Sequence, residues 1–179
     1  MAWSVPPTAA AGDTFTASIW NTGVRDNLNM TAPAIATTAG RIIVSSGVNA
    51  VAERQVAEAT NDTSGTTTST SYTPTLSGGG TTPSVTVTAG FTLIIFVNSA
   101  VANSSTSSAF ATYDISGAST IAATDGPAAI MDGGSGKDDR YGVSTVQNVT
   151  PGSNTIRIEY RVSGATGTFT KRRLQVMPL

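Results

Sequence analysis

Apolar residues are densest at 91–97, where Phe91, Leu93, Ile95 and Val97 alternate with Thr92, Ile94 and Phe96. Successive side chains of a strand point to opposite faces, so these two sets lie on two faces. Both sets are mainly apolar. That predicts a strand covered on both sides, by another layer of the fold or by a neighbouring subunit. The turn residues Ala89-Gly90 and Asn98-Ser99 bracket the run, and its length suits a strand rather than a helix.

Short strand patterns recur along the rest of the C-terminal part. The spacing predicts strands at 71–76, 84–88, 91–98, 108–115, 141–146, 154–162 and 168–177. The clearest is 154–162: Ile156, Ile158, Tyr160 and Val162 face one way, and Thr155, Arg157, Glu159 and Arg161 face the other. Leu174 and Val176 continue such alternation in the last strand, which Pro178 ends. Seven short strands with turn residues between them predict an antiparallel β-sandwich or jelly roll.

Upstream the pattern changes. Pro6-Pro7 and the small residues Ala9 to Gly12 predict an extended arm over 1–15, in which Trp3 has no local core and is expected to anchor on another element or chain, the alternative being an exposed tail residue. The one helix is expected over 16–29, capped by Thr16, with Trp20, Val24 and Leu28 on one stripe. Gly23 weakens its middle by roughly 1 kcal/mol relative to Ala, so packing rather than propensity has to hold it. A short hairpin is expected over 34–60, with a strand at 41–44 and a turn at Gly47 to Asn49. The predicted organisation is an N-terminal arm, helix and hairpin over 1–60, a Thr-rich linker over 61–70 that is alternatively a first strand, and a β-sandwich over 71–179. The fold class is mainly β.

Composition sharpens this. The 179 residues include 30 Thr, 20 Ser and 18 Gly, and only 12 % are charged. Thr favours strands, and Gly and Ser favour turns. The charge is about half the usual quarter, which fits a chain that buries surface against other chains and equally an exposed, very β-rich surface. The net charge of −1 gives no electrostatic case for nucleic acid. The only basic run, Lys171-Arg172-Arg173, is expected on a solvated face or edge. No apolar run approaches a membrane span, and the N-terminus lacks a signal-peptide pattern.

Candidate chemistry is sparse. The chain has no Cys and no His, which removes thiolates, the commonest general base and the commonest metal ligand. The acidic, Gly-rich loop from Asp132 to Arg140 is the one candidate for a hard cation. Its spacing does not match an EF-hand, and Lys137 sits among the carboxylates. Asp114, Asp125 and Glu159 are the only candidate acid–base set, and nothing in the sequence brings them together. No catalytic residue, cofactor or metal is expected.

Two segments carry a resemblance. The run Ala11-Gly12-Asp13-Thr14-Phe15-Thr16-Ala17-Ser18-Ile19-Trp20-Asn21-Thr22-Gly23-Val24-Arg25-Asp26-Asn27-Leu28 resembles an N-terminal motif of tailed-bacteriophage virion proteins, especially of actinobacteriophages. There a Gly-rich lead runs into Thr-Ala, then Trp-Asn or Met-Asn, then Val-Arg-Asp-Asn-Leu. The run Thr37 to Val44 with Ala50-Val51-Ala52-Glu53-Arg54 resembles the stretch that follows in those proteins, with Arg41 where an acid is usual. The C-terminal region, above all its turn from Thr150 to Thr155, is similar in style to their β-sandwich heads.

The resemblance implies a non-enzymatic virion protein: a homotrimeric head decoration or head fibre, with a short tail fibre as the alternative. The N-terminal segment, with Trp3, Trp20, Val24 and Leu28, would contact the major capsid protein, other virion proteins or its own copies. The tail alternative adds a host-surface glycan as a partner of the sandwich loops. Two competing classes are weaker on the residues. A carbohydrate-binding module calls for exposed aromatics on one face, yet of Tyr113, Tyr141 and Tyr160 at least Tyr160 points inward. A glycan depolymerase calls for a paired set of carboxylates.

Overall fold

The computed structural model describes residues 8, 10–29, 31, 36–48, 50–132 and 139–179. Trp3 and the middle of the acidic loop, 133–138, lie outside them. The chain divides into two compact units, Met1–Gln55 with Leu179, and Val56–Pro178.

In the first unit a helical segment runs as α1 (Ala17–Trp20), a π-helical turn over Asn21–Arg25, and α2 (Asp26–Leu28). Thr16 is the N-cap, and its hydroxyl accepts from the Ile19 N–H at 3.2 Å. The hairpin follows as β1 (Ile42–Gly47) and β2 (Ala50–Arg54), antiparallel, with Ile43 opposite Glu53. The Glu53 carboxylate accepts from the Thr37 and Thr38 N–H groups and from the Thr37 hydroxyl. These bonds, led by that from Thr38, lower its pKa and tie the hairpin to the chain that leads into it.

The second unit is an antiparallel sandwich. Its strands are β3 (Ala57–Asn61), β4 (Gly65–Thr67), β5 (Ser84–Ala89), β6 (Thr92–Asn103), β7 (Ala109–Gly117), β8 (Ala129–Met131), β9 (Asp139–Asn148), β10 (Gly152–Val162) and β11 (Gly167–Pro178). One sheet has the order β5-β10-β7-β8. The other has the order β3-β11-β6-β9, with β4 also on β11. The pairs β7–β8, β6–β9, β5–β10 and β3–β11 nest one outside the next. The unit is thus one long hairpin, folded at the β7–β8 connection and rolled into two layers, which is a jelly roll.

The inner faces make one core. Leu93, Ile95, Val97, Phe169, Leu174 and Val176 on one sheet meet Tyr113, Ile115, Ile156, Ile158, Tyr160 and Val162 on the other. The alternation of β10 is the one its sequence predicts.

Several expectations are corrected. Residues 71–76 form no strand; Thr73 only bridges Tyr160, extending the edge beyond the end of β5. The stretch 57–67, placed at the end of the hairpin segment and in the linker or Thr-rich first strand, carries β3 and β4 of the sandwich. The three-residue β8 was not predicted, because so short a strand shows no period. Phe91 does not join Leu93, Ile95 and Val97 inside. The strand starts at Thr92, and Phe91 lies 68 % exposed at the end of the sheet.

The basic run is corrected too. A bulge between Thr170 and Arg173, with Lys171 at φ 49°, interrupts β11. Arg172 then falls in phase with Leu174 and Val176 and is fully buried. Its Nη2 donates to the carbonyls of Thr63 (3.0 Å) and Gly79, and its Nη1 reaches the Tyr160 hydroxyl. The guanidinium pins the 62–80 excursion onto the sandwich, since unmade bonds to buried carbonyls are costly.

Candidate functional site

The N-terminal residues come first. Trp20 is 49 % exposed, Leu28 is 59 % exposed, and Val24 is half-buried. The π turn changes their spacing: the Asp26 N–H bonds back to the Asn21 carbonyl, five residues earlier. The i, i+4 stripe expected of an α-helix therefore drifts around the axis. Phe15 stacks edge-on against Trp20, with centroids 5.8 Å apart. The sequence pattern did not single out Phe15, which lies just before the helix.

The carboxylates are partly brought together. Asp114 and Glu159 both lie 2.9 Å from the Arg157 Nη2, on the outer face of the β5-β10-β7-β8 sheet. Burial first, then repulsion from Asp114, raises the Glu159 pKa against the pull of Arg157. Asp125 stands apart, paired with Arg161 and accepting from the Tyr72 hydroxyl at 2.6 Å. The Arg161 and Tyr72 bonds hold its pKa low. The Arg161 guanidinium lies 3.8 Å from the centre of the Phe110 ring. These are ion clusters that cover sheet surface. Cross-strand register creates them, pairing Arg157 with Asp114.

At the acidic loop, Asp132 accepts from the Ser108 hydroxyl at 2.6 Å, and the Tyr141 hydroxyl donates to Asp139 at 3.3 Å. Among the described residues no three His, Cys, Asp or Glu converge as a metal site. No described helix is long and apolar enough to cross a membrane.

Clefts open on the sandwich among the described residues. One of about 510 Å³ lies between the 121–127 loop and β9, lined by Tyr113, Ile121, Pro127, Val143 and Thr145 among others. The second, about 620 Å³, lies by Phe91, Ser119, Ile121 and Val149. Neither gathers the carboxylates.

The outer face of the β3-β11-β6-β9 sheet is the feature the sequence half revealed. Ile94 and Phe96, the second apolar face of the 91–97 run, point outward here, and Phe96 is 37 % exposed. Their neighbours on other strands carry no signal in the linear order.

No family model matches the chain, and no curated protein matches its sequence. The fold does have relatives among solved structures. The VP2 subviral particle of infectious bursal disease virus superimposes with a TM-score of 0.50 at 16 % identity, over 75 % of this chain and 36 % of that one. Eiger TNF from S. frugiperda gives 0.48 at 10 % identity, over 70 % and 92 %. At such identities the likeness is one of fold. The match spans about a third of the VP2 chain. The jelly roll is thus a fold that the VP2 chain of this subviral particle shares.

Proposed function

We propose that this chain is a non-enzymatic structural protein of a phage virion: a homotrimeric surface projection that decorates the capsid. The N-terminal segment, with Trp3, Trp20, Val24 and Leu28, attaches it to the major capsid protein or another virion protein. The sandwich is the exposed part. The observation that carries this reading is the rolled eight-strand sandwich, β3 and β5 to β11, of the kind found in VP2. The phage motif at 11–28 supplies the phage context, and Trp20 and Leu28 within it lie exposed.

The test is to label intact particles with antibody to this chain and image them. Label spread over the head supports decoration. Label confined to the tail moves the reading to a short tail fibre whose sandwich binds a host-surface glycan. Particles without label, under conditions that expose the epitopes of dissociated protein, remove the virion reading.

A further inference from the structure

Three strands and the residue that leads into β3 bring one apolar row together on the outer face of the β3-β11-β6-β9 sheet. Val146 of β9 pairs with Ile94 of β6, and Ile94 pairs with Met177 of β11. Val56 continues the row one step beyond the Val176–Ala57 pair. Val146 is 69 % exposed and Val56 is 43 % exposed, while Ile94 and Met177 are half-buried. The next row is Ser144, Phe96, Gln175 and Glu58, and the one after is Gly142, Asn98, Arg173 and Thr60. Charge collects at the far end, where Arg140 lies on the β9 side and Asp62 on the β3 side. Asp62 bonds Arg173 at 2.7 Å, and its pKa is lowered chiefly by Arg173, with Lys171 and Arg140 adding to the pull.

We infer that this face is where three copies of the chain meet, around an axis parallel to the strands. Rotation about such an axis keeps every row at its own height. Val56 of one copy comes beside Val146 of the next, and Ile94, Met177 and Phe96 of all three turn toward the axis. At the charged end Asp62 of one copy comes beside Arg140 of the next. The face is therefore self-complementary in charge as well as in apolar surface, which a contact between identical chains requires. A rotation that reversed the strands would set the apolar row against Arg140, Lys171 and Arg173. A two-fold stack of whole faces would desolvate that basic end, whereas a three-sided arrangement confines contact to the strand edges and the axis. The net charge of −1 opposes association little.

The inference rests on the homotrimer of the proposed function. It is tested on the full chain by sedimentation equilibrium. Three chain masses are expected for the wild type. Val146→Lys and Val56→Lys are each expected to return one chain mass with an unchanged circular dichroism spectrum. Ile130→Lys, on the outer face of the other sheet, is expected to keep three. Arg140→Asp is expected to lower the mass. A wild type of one or two chain masses, or a Val146→Lys variant that keeps three, overturns the inference. Labelled particles together with such a result leave the virion reading standing without this interface. Unlabelled particles with a trimer that Val146→Lys dissociates do the reverse.

Discussion

The Arg172 guanidinium lies 3.4 Å from the Tyr160 hydroxyl, and neither residue has any exposed surface. A cation from one sheet thus meets a phenol from the other inside the sandwich, beside the Thr63 and Gly79 carbonyls. Burial pushes the Tyr160 hydroxyl up to about 12, so it stays a neutral partner.

Arg172→Ala is expected to destabilise the sandwich by about 3 kcal/mol, since it opens a cavity and leaves buried carbonyls unpaired. Arg172→Met keeps most of the volume and is expected to cost about half as much by the same reasoning. Urea unfolding reads both as lowered midpoints at unchanged slope. An unchanged midpoint for Arg172→Ala would sink the role given to it.

Gly65 and Gly79 mark where the 62–80 excursion packs closely against itself. A Cβ on Gly65 would meet the backbone of Gly79 and the Leu76 side chain, with the Gly79 N at 2.8 Å. Gly65→Ala is expected to cost about 1–3 kcal/mol by overpacking. Gly126→Ala, where the nearest atom is 4.0 Å away, is the control and is expected to change little. Thermal unfolding of the two variants decides the matter.

Glu159 gives a pH signature. Its folded pKa is raised above the usual 4.5 by burial and by Asp114. Between the unfolded and folded values the native state holds more protons than the unfolded state, so this group's contribution falls as pH rises through that window. Glu159→Gln removes the titration. The stability of this variant relative to wild type is expected to climb with pH above the usual Glu range, then level off above Glu159's own value. A difference that is flat with pH would contradict the raised pKa.

Trp20→Ala with Leu28→Ser separates attachment from folding. Both residues are exposed and outside the sandwich core. The proposed function expects fewer copies per particle, read by quantitative gel densitometry of purified virions, and an unchanged unfolding midpoint of the sandwich. Full incorporation of the double variant would remove these residues from the attachment surface.

Much of this architecture was readable in the chain. Period-2 alternation set the inner face of β10, and the 91–97 run announced a strand with two apolar faces. Even Arg172 carried a signal, since it stands two residues before Leu174 and shares its phase. The charge of the run argued for solvent instead. The structure decides for the core because the Thr63 and Gly79 carbonyls and the Tyr160 hydroxyl are there to receive the guanidinium. The candidate chemistry was less legible. Asp114 and Glu159 are 45 positions apart in sequence, and only the β7–β10 register places both on Arg157.

By itself the sequence determined a β-rich chain of strands separated by turns, a capped helix near Trp20 and a surface low in charge. These follow from local rules, in which each residue's preference and its phase with near neighbours suffice. Only the tertiary structure decided the rolled strand order, the row from Val56 to Val146 and the depth of Arg172. Each depends on which distant strands pair and in what register. That choice is made by closing the two layers over one core, and no single stretch of the chain contains it.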